Sequence, residues 1–315
     1  MSRAMTGQVS AEAAELYERF FVPALFDQWP SQVLDLAEVA DGDDVLDLAC
    51  GTGVLARAAK RRVGPTGSVC GVDMNEGMLS VASRAEPGVS WLPGRAESLP
   101  LPDDGVDRVC CRFGLMFFSD RQAAVGEMAR VARSGGSVCV VTWAGLSETS
   151  GYAAMVQLVD DLFGTEIARA LAAPFGIGTP AALHDIMSTG FEHVAVRRLE
   201  GRAQFPSIDA WVATDVHAWT LRDMIDDDQF AELSAHAHVR LREFADASGR
   251  VTFPPPRWSR WRGPETGVAV DAPRTPAGAP LLGARAGRND KRPASTDGHR
   301  PLRPVGTTGF EPATP

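Results

Sequence analysis

Apolar runs of strand length alternate with segments of helical periodicity along the first half of the chain. The strand-like runs lie at residues 45–48, 68–72, 89–92, 106–112 and 137–143. Segments with a helical period separate them at residues 54–62, 77–84 and 121–132. Strands that alternate with helices form a parallel sheet covered by helices on both faces. The pattern therefore predicts an α/β fold, and the wholly apolar run at 138–141 is typical of a buried parallel strand.

Helical periodicity also flanks this alternation. Residues 10–39, 151–173 and 206–247 look helical, a further helix is expected around 180–188, and residues 191–205 indicate two neighbouring strands. The predicted organisation is an N-terminal helical segment at 1–40, a core at 41–205 with a helical insertion around 147–188, cap helices at 206–253 and a tail at 254–315.

The tail at 254–315 differs in composition from the rest of the chain. It is rich in proline, glycine and arginine and shows neither a helical nor an alternating period. Such a segment is predicted to be disordered. From Arg257 onwards it resembles the translation of a GC-rich gene in another reading frame, so we expect truncation after Pro256 to leave folding intact.

Composition excludes several function classes. A net charge of −9 argues against nucleic acid as a partner. No apolar run approaches the length of a membrane span, and no early segment has the pattern of a secretion signal. The five cysteines lack metal-ligand spacing, so we expect no metal site and reduced thiols in a cytoplasmic protein. A small molecule is the expected partner.

The chemistry is expected in the loop of the segment VLDLACGTGVLARA, residues 45–58. Gly51 and Gly53 lack a β-carbon, so the backbone can turn sharply and approach a ligand closely. The helix that follows offers unpaired N–H groups and a positive dipole end. A short loop of this kind is also compatible with a tight structural turn that binds nothing.

Two acids refine the expected ligand. Asp47 ends the first strand, where a carboxylate suits an ammonium or a sulfonium and opposes a pyrophosphate. The third glycine of the dinucleotide fingerprint is absent, and Ala56 stands in its place. Asp73 ends the second strand, where it can accept hydrogen bonds from both hydroxyls of a ribose. The alternative role for Asp73 is to cap the helix that follows.

The segments VLDLACGTG, GVDMNEGML, GRAESLPLPDDGVDRV and EMARVARSGG resemble the class I S-adenosylmethionine-dependent methyltransferases in order and spacing. The nearest similarity is to the small-molecule group that includes the ubiquinone/menaquinone-biosynthesis methyltransferases. It runs from about residue 10 to 253 and is strongest between 44 and 144. The resemblance implies a Rossmann-like, mostly parallel seven-stranded sheet with a helical cap. A last antiparallel strand slipped between two others would account for the strand pair at 191–205.

The resemblance also implies a cofactor, S-adenosyl-L-methionine, and residues that bind it. Those residues are Asp47, Ala49, Gly51, Gly53, Asp73, Met74, Ala96 and Glu97. The first loop would hold the methionine end, Asp73 the ribose and Met74 the adenine face, with Ala96 and Glu97 at the adenine edge. Many relatives have an acid where this chain has Arg95. Because an arginine cannot accept the hydrogen bond of the adenine amino group, Glu97 or a backbone group must do so, or this edge is looser.

The acceptor side of the site follows the fourth strand. Enzymes that methylate DNA bases or glutamine carry an Asn/Asp-Pro-Pro-Tyr signature there, whereas this chain has Cys111 to Gly114, CRFG. Arg112, Phe113, Met116 and Trp143 are therefore expected to line a pocket for a small hydrophobic acceptor. Ordinary core packing is the alternative for the nearby aromatics Phe117 and Phe118.

Methyl transfer from a sulfonium needs a base only if the acceptor must lose a proton. No base is evident in the sequence, and His217, between Trp211 and Trp219 in the cap, is the candidate. Two other functions stay open. A nicotinamide-dependent oxidoreductase would need a third glycine and a catalytic motif, and neither Tyr17 nor Tyr152 lies in one. A non-catalytic module that binds the cofactor without turnover is the second.

Overall fold

A twisted sheet of mostly parallel strands forms the centre of the protein. The computed structural model describes residues 11–217, 221, 224–253 and 267–273, the last segment for its backbone alone. The strands are β1 Asp44–Leu48, β2 Ser68–Asp73, β3 Ser90–Pro93, β4 Val106–Arg112, β5 Ala132–Trp143, β6 Ala195–Leu199, β7 Gln204–Phe205, β8 Val251–Thr252 and β9 Gly267–Pro273. The chain divides into two units, Met1–Ala277 and Gly278–Pro315, and the second lies outside the described residues.

The order of the strands in the main, seven-stranded sheet is β3-β2-β1-β4-β5-β9-β6. Strands β1 to β5 pair in parallel, and β9 pairs antiparallel with both β5 and β6. The chain runs outward from β1 to β3 and then returns to β4 on the other side of β1. This reversal places a topological switch point beside β1, where ligands of α/β sheets bind at the carboxyl ends of the strands.

Helices cover the sheet and extend beyond its edge. They are α1 Ala11–Leu16, α2 Pro30–Leu36, α3 Val54–Val63, α4 Glu76–Ala85, α5 Arg121–Val131, α6 Ser150–Phe163, α7 Thr165–Ala172, α8 Pro180–Met187, α9 Ile208–His217 and α10 Asp227–Arg240. A π-helical segment, Tyr17–Phe26, continues α1. Side-chain caps begin several helices: Asn75 accepts from Met78 at α4, and Asp120 accepts from Ala123 at α5.

The predicted α/β fold is confirmed, but two expectations about its far edge are wrong. The strands β6 and β7 do not pair with each other, because β6 pairs with β9 and β7 pairs with β8 in a separate two-stranded sheet. The predicted disordered tail includes β9, which lies between β5 and β6. The physical reason is that β5 and β6 each have an edge of backbone N–H and C=O groups that needs a partner strand. The rest of 254–315 lies outside the described residues.

Truncation of the chain tests the role of β9. Removal of all residues after Pro256 deletes a strand whose whole length pairs with β5, from Ser137 opposite Pro273 to Trp143 opposite Gly267. We expect this truncation to lower the free energy of unfolding by on the order of 5 kcal/mol, because two backbone ladders are lost. Urea and thermal unfolding measure the change. Truncation after Ala277 keeps β9 and should unfold like the full chain. Equal stability of both truncations would restore the interpretation of 254–315 as dispensable.

Candidate active site

A cavity opens at the carboxyl ends of β1, β2, β3 and β4, beside the switch point. Its volume is about 1140 Å³ including its open mouth. The loops after these strands and the π-helical segment form its wall. The predicted site residues that line it are Ala49, Gly51, Asp73, Met74, Ala96, Glu97, Arg112, Phe113 and Trp143. The structure thus brings most of the predicted cofactor and acceptor residues to one space.

The loop after β1 has the backbone strain that its glycines suggest. The φ angles of Ala49, Gly51 and Gly53 are 56°, 55° and 83°, all in the left-handed region. A β-carbon on Gly51 would meet nothing within 4 Å, so this glycine is needed for its backbone angle. A β-carbon on Gly53 would lie 2.4 Å from the ring of Trp91. Gly53 does not line the cavity, and its lack of a β-carbon is required for packing against Trp91 under the loop.

Asp73 ties the loops of β1 and β2 together. Its carboxylate accepts the N–H of Gly51 at 2.8 Å and the N–H of Asn75 at 2.8 Å. Burial raises the pKa of Asp73 above its ordinary value, and these backbone hydrogen bonds oppose the rise. Each oxygen keeps a further lone pair, so the carboxylate can still accept from a ligand. The alternative role of capping α4 falls to Asn75, whose Oδ1 accepts the N–H of Met78 at 3.0 Å.

Asp47 lies beneath the loop and does not line the cavity. It is 1% exposed, and its Oδ2 accepts the N–H of Ala56 at 2.9 Å, in the first turn of α3. Burial raises the pKa of Asp47 to about 7, against the opposing charge of Arg112 and this hydrogen bond. The N-cap of α3, Gly53, has no side chain to accept a hydrogen bond, and Asp47 supplies an acceptor to the first turn of the helix. The predicted contact of Asp47 with a cofactor stays a prediction.

The loop after β3 forms the end of the cavity that was expected to hold adenine. Met74 is 42% exposed and lines the cavity, which is unusual for a large apolar side chain. Glu97 Oε1 accepts from the Ser119 N–H at 3.0 Å and from its hydroxyl at 2.7 Å. The guanidinium of Arg95 lies 3.3 Å from Glu97 Oε2. Partial burial acts to raise the pKa of Glu97, but the hydrogen bonds from Ser119 outweigh it and the pKa is lowered.

Aromatic rings form the opposite wall. The rings of Phe113 and Trp143 are stacked at 3.9 Å and 12°, and Phe26 lies 5.6 Å from Phe113. Phe117 and Phe118 both line the cavity, and both also pack against the core. Met116 is 6% exposed and is not part of the wall, because it lies in the buried turn behind it. Ring faces of this kind bind flat, apolar groups.

Arg112 stands where the aromatic wall meets the loop of β1. It is 9% exposed, and its guanidinium lies 5.0 Å from the centre of the Phe26 ring and 5.7 Å from that of Phe113. Nη1 donates to the carbonyl of Phe26 at 3.4 Å, and the buried Nε has no hydrogen-bond partner. Burial lowers the pKa of Arg112 and the charge of Asp47 opposes this fall, but an arginine side chain stays protonated in proteins.

Sequence reasoning missed several lining residues. Thr52 is 1% exposed and its buried Oγ1 has no hydrogen-bond partner, although it belongs to the loop that was singled out. Tyr17 comes from the π-helical segment, whose apolar periodicity gave no sign that this side chain faces a cavity. Burial raises the pKa of Tyr17 and of the Cys50 thiol, so both stay protonated at neutral pH.

The structure gives no support to His217 as a general base. It ends α9, where its ring packs 4.5 Å from that of Phe230, and it does not line the cavity. Trp219, the second ring expected beside it, lies outside the described residues. In the part of the chain that is described, no histidine lines the cavity and no cluster of His, Cys, Asp and Glu could hold a metal ion. None of the helices found there is long and apolar enough to span a bilayer.

Comparison with known proteins shows similarity to methyltransferases. Residues 21–159 match the ubiE/COQ5 methyltransferase family. The chain is 37% identical over 146 residues to the ubiquinone/menaquinone biosynthesis C-methyltransferase UbiE of Stenotrophomonas maltophilia, covering 44% of this chain and 58% of the relative. It is 42% identical over 117 residues to the UbiE of Bordetella avium, covering 36% and 46%. The predicted resemblance is confirmed, and the chain spans about half the length of these relatives.

Solved structures confirm the methyltransferase fold. The YcgJ protein of Bacillus subtilis superposes with a TM-score of 0.51 at 20% identity, over 78% of this chain and 97% of its own. The phosphoethanolamine N-methyltransferase 2 of Haemonchus contortus, solved with phosphomonomethylethanolamine and S-adenosylhomocysteine, gives a TM-score of 0.53 at 16% identity, over 84% of this chain and 58% of its own. At these identities the likeness concerns the fold alone.

A buried acid lies behind the aromatic wall of this methyltransferase fold. Asp215 is 2% exposed, and its Oδ1 accepts the hydroxyl of Tyr152 at 3.3 Å. Its Oδ2 and the indole nitrogen of Trp211 are buried without partners. Burial raises the pKa of Asp215 to about 8, against the hydrogen bond from Tyr152. The carboxyl group is therefore mostly neutral at pH 7, and it joins α6 to α9.

Replacement of Asp215 by Asn should change how stability depends on pH. Between about pH 4, where the carboxyl ionises in the unfolded chain, and pH 8, the folded protein holds one more proton there. This group therefore makes the folded state less stable as pH rises, by about 1.4 kcal/mol per unit. Urea unfolding at pH 5, 6.5 and 8 should show Asp215→Asn gaining stability relative to wild type as pH rises. The matched control is exposed Asp228→Asn, which should stay parallel to wild type, and a parallel Asp215→Asn would contradict the expectation.

Proposed function

We propose that this protein transfers a methyl group from S-adenosyl-L-methionine to a small apolar acceptor. One observation supports this proposal most. The Asp73 carboxylate, the glycine loop after β1 and an aromatic wall all line one cavity at the switch point. The match of residues 21–159 to a methyltransferase family supports the same activity.

The residues present fit this cofactor. The orphaned hydroxyl of Thr52 needs a partner that the protein does not supply among the described residues. Asp73 has lone pairs left for ribose hydroxyls, and exposed Met74 offers an apolar surface for a base. The loops after β1 and β4 pack closely on each other, because a β-carbon on Gly114 would lie 2.5 Å from the β-carbon of Ala49. We assign Ala49, Gly51, Thr52 and Asp73 to the cofactor, with Ala96 and Glu97 at the adenine edge.

The cofactor supplies a methyl group on a sulfonium, which is already a good leaving group. The protein's part is to position the acceptor and exclude water. Phe113 and Trp143 present stacked faces on which a flat acceptor can lie, and Phe26 closes the space beside them. Tyr17, held protonated by burial, can donate a hydrogen bond to an acceptor oxygen but cannot remove a proton at neutral pH.

We propose a small aromatic or quinone-type ring as the acceptor class. The aromatic wall supports a flat ring, and the relatives are named for C-methylation in ubiquinone and menaquinone biosynthesis. All five cysteines are free thiols, which supports a reducing compartment such as the cytoplasm.

Substitution of Asp73 by Ala tests the cofactor assignment. The variant loses the acceptor for the ribose and the hydrogen bond to the Gly51 N–H, so we expect S-adenosylmethionine to bind more than about tenfold more weakly. Asp73→Asn, which keeps one carbonyl oxygen, should lie between. Calorimetric titration measures the dissociation constants, and circular dichroism verifies folding.

The matched control is Asp185→Ala, whose side chain is 82% exposed on α8 and should bind the cofactor as wild type does. Titration with NADH separates the alternative enzyme class. Unchanged affinity of Asp73→Ala would overturn the ribose assignment, and wild-type binding of NADH without S-adenosylmethionine would overturn the proposed function.

A further inference from the structure

Arg112 is a buried cation whose hydrogen-bonding capacity is mostly unused. A guanidinium has five N–H donors, yet its one hydrogen bond to a described residue is the 3.4 Å contact of Nη1 with the Phe26 carbonyl. The buried Nε has no partner, and within the described ranges no carboxylate lies within ion-pair distance. An unpaired buried charge is costly, so this geometry calls for an anion that the protein does not provide.

The second cation that lines the cavity has its charge matched. Arg95 lies 3.3 Å from Glu97 and donates to the Ser119 hydroxyl at 3.0 Å. Arg95 and Arg112 are the cationic residues of the described wall. An anionic group bound in this cavity would therefore find its unpaired counter-charge at Arg112.

The strand order places the two cations at opposite ends. In the sheet the neighbours are β3-β2-β1-β4, so Arg95 after β3, Asp73 after β2, Gly51 after β1 and Arg112 at the end of β4 follow one another across the cavity. If Asp73 binds the ribose and the β3 loop borders the base, the part of the cofactor beyond the ribose extends over Gly51 towards Arg112. That part is an amino acid, with one ammonium and one carboxylate.

Resting on the proposed function, we propose that Arg112 binds the carboxylate of the cofactor's methionyl part. With Nη1 turned to Phe26 and Nε enclosed by the protein, Nη2 remains for a charge-assisted hydrogen bond with a carboxylate oxygen. The sequence predicts that Arg112 lines the acceptor pocket. In the structure Arg112 ends β4, next to the loop after β1, so it can reach the cofactor as well as the acceptor. The alternative is that Arg112 pairs with an anionic oxygen of the acceptor molecule.

Two ligands, one with the methionyl carboxylate and one without it, test whether Arg112 binds the cofactor or the acceptor. Neither measurement requires an acceptor. S-adenosylhomocysteine has the carboxylate, and its decarboxylated analogue S-adenosyl-3-thiopropylamine keeps the ammonium and lacks it. We expect wild type to bind S-adenosylhomocysteine more than about tenfold more tightly than the analogue. In Arg112→Met this preference should vanish through weaker binding of S-adenosylhomocysteine alone. Calorimetric titration of both ligands gives the four dissociation constants.

The matched control is Arg95→Met, which removes the other cation of the wall and should change the affinity for both ligands by the same factor. Thermal unfolding without ligand verifies that Arg112→Met folds, and it should melt no lower than wild type because the lost charge had no partner. If Arg112→Met does not fold, Arg112→Lys, which keeps the charge but not the planar, fixed donors of the guanidinium, should reduce the preference severalfold.

Equal binding of the two ligands by wild type would overturn the role of Arg112, as would equal weakening of both in Arg112→Met. An unchanged preference in the variant would do the same and would point to the acceptor as the source of the anion. Failure of wild type to bind either ligand would instead overturn the proposed function.

Discussion

The position of β1 between β2 and β4, parallel to both, is the constraint on which the site depends. Parallel strands bring the loops after their carboxyl ends to one edge of the sheet. Because the strand order reverses beside β1, the connections after β1 and β4 run in opposite directions and leave a crevice between them. The Asp73 carboxylate joins the loops of β1 and β2 by accepting the Gly51 N–H, and the Asp73 carbonyl accepts the N–H of Gly94 after β3 at 3.0 Å. The side chain and the backbone of Asp73 thus hold three loops together around one cavity.

Buried charge is the cost of this arrangement. Asp47, Asp73 and Arg112 lie close enough for their charges to influence one another, and Asp47 and Arg112 are almost fully buried. Asp47 and Asp73 are stabilised by backbone N–H groups at the start of α3 and in the loops, which replace water as donors. Arg112 is the member of the group without such compensation. A site that binds a sulfonium and an amino acid would use these charges, whereas a purely structural core would replace them with apolar side chains.

The sequence predicted the central strands well because their apolar runs and punctuating glycines are local signals. The structure extends the predicted bounds of β1 and β2 by one residue each and shifts those of β3 by one residue. The prediction for the far edge of the sheet was wrong for a physical reason. The strand β9 forms because β5 and β6 each have a backbone edge that needs a partner, and its sequence has no apolar pattern strong enough to have predicted a strand. The resemblance named residues on loops that the structure brings to one cavity, and their roles stay predictions. Periodicity could not reveal that Asp47 and Gly53 support the loop from beneath, or that Tyr17 faces the cavity.

Two residues with left-handed backbone angles lie in the loops after β1 and β4, where these loops pack against each other. Ala49 and Phe113, neither of them glycine, have φ angles of 56° and 56°, a conformation that costs on the order of 1 kcal/mol for each residue. The Phe113 N–H donates to the Val141 carbonyl at 2.7 Å, and its ring is stacked on Trp143, so the turn after β4 is held from both sides. Gly114 allows this turn to lie against Ala49. Because contacts within the protein hold these two loops, we expect little free energy to be lost in ordering them when a ligand binds, and differences in affinity should then report direct contacts such as the one proposed for Arg112.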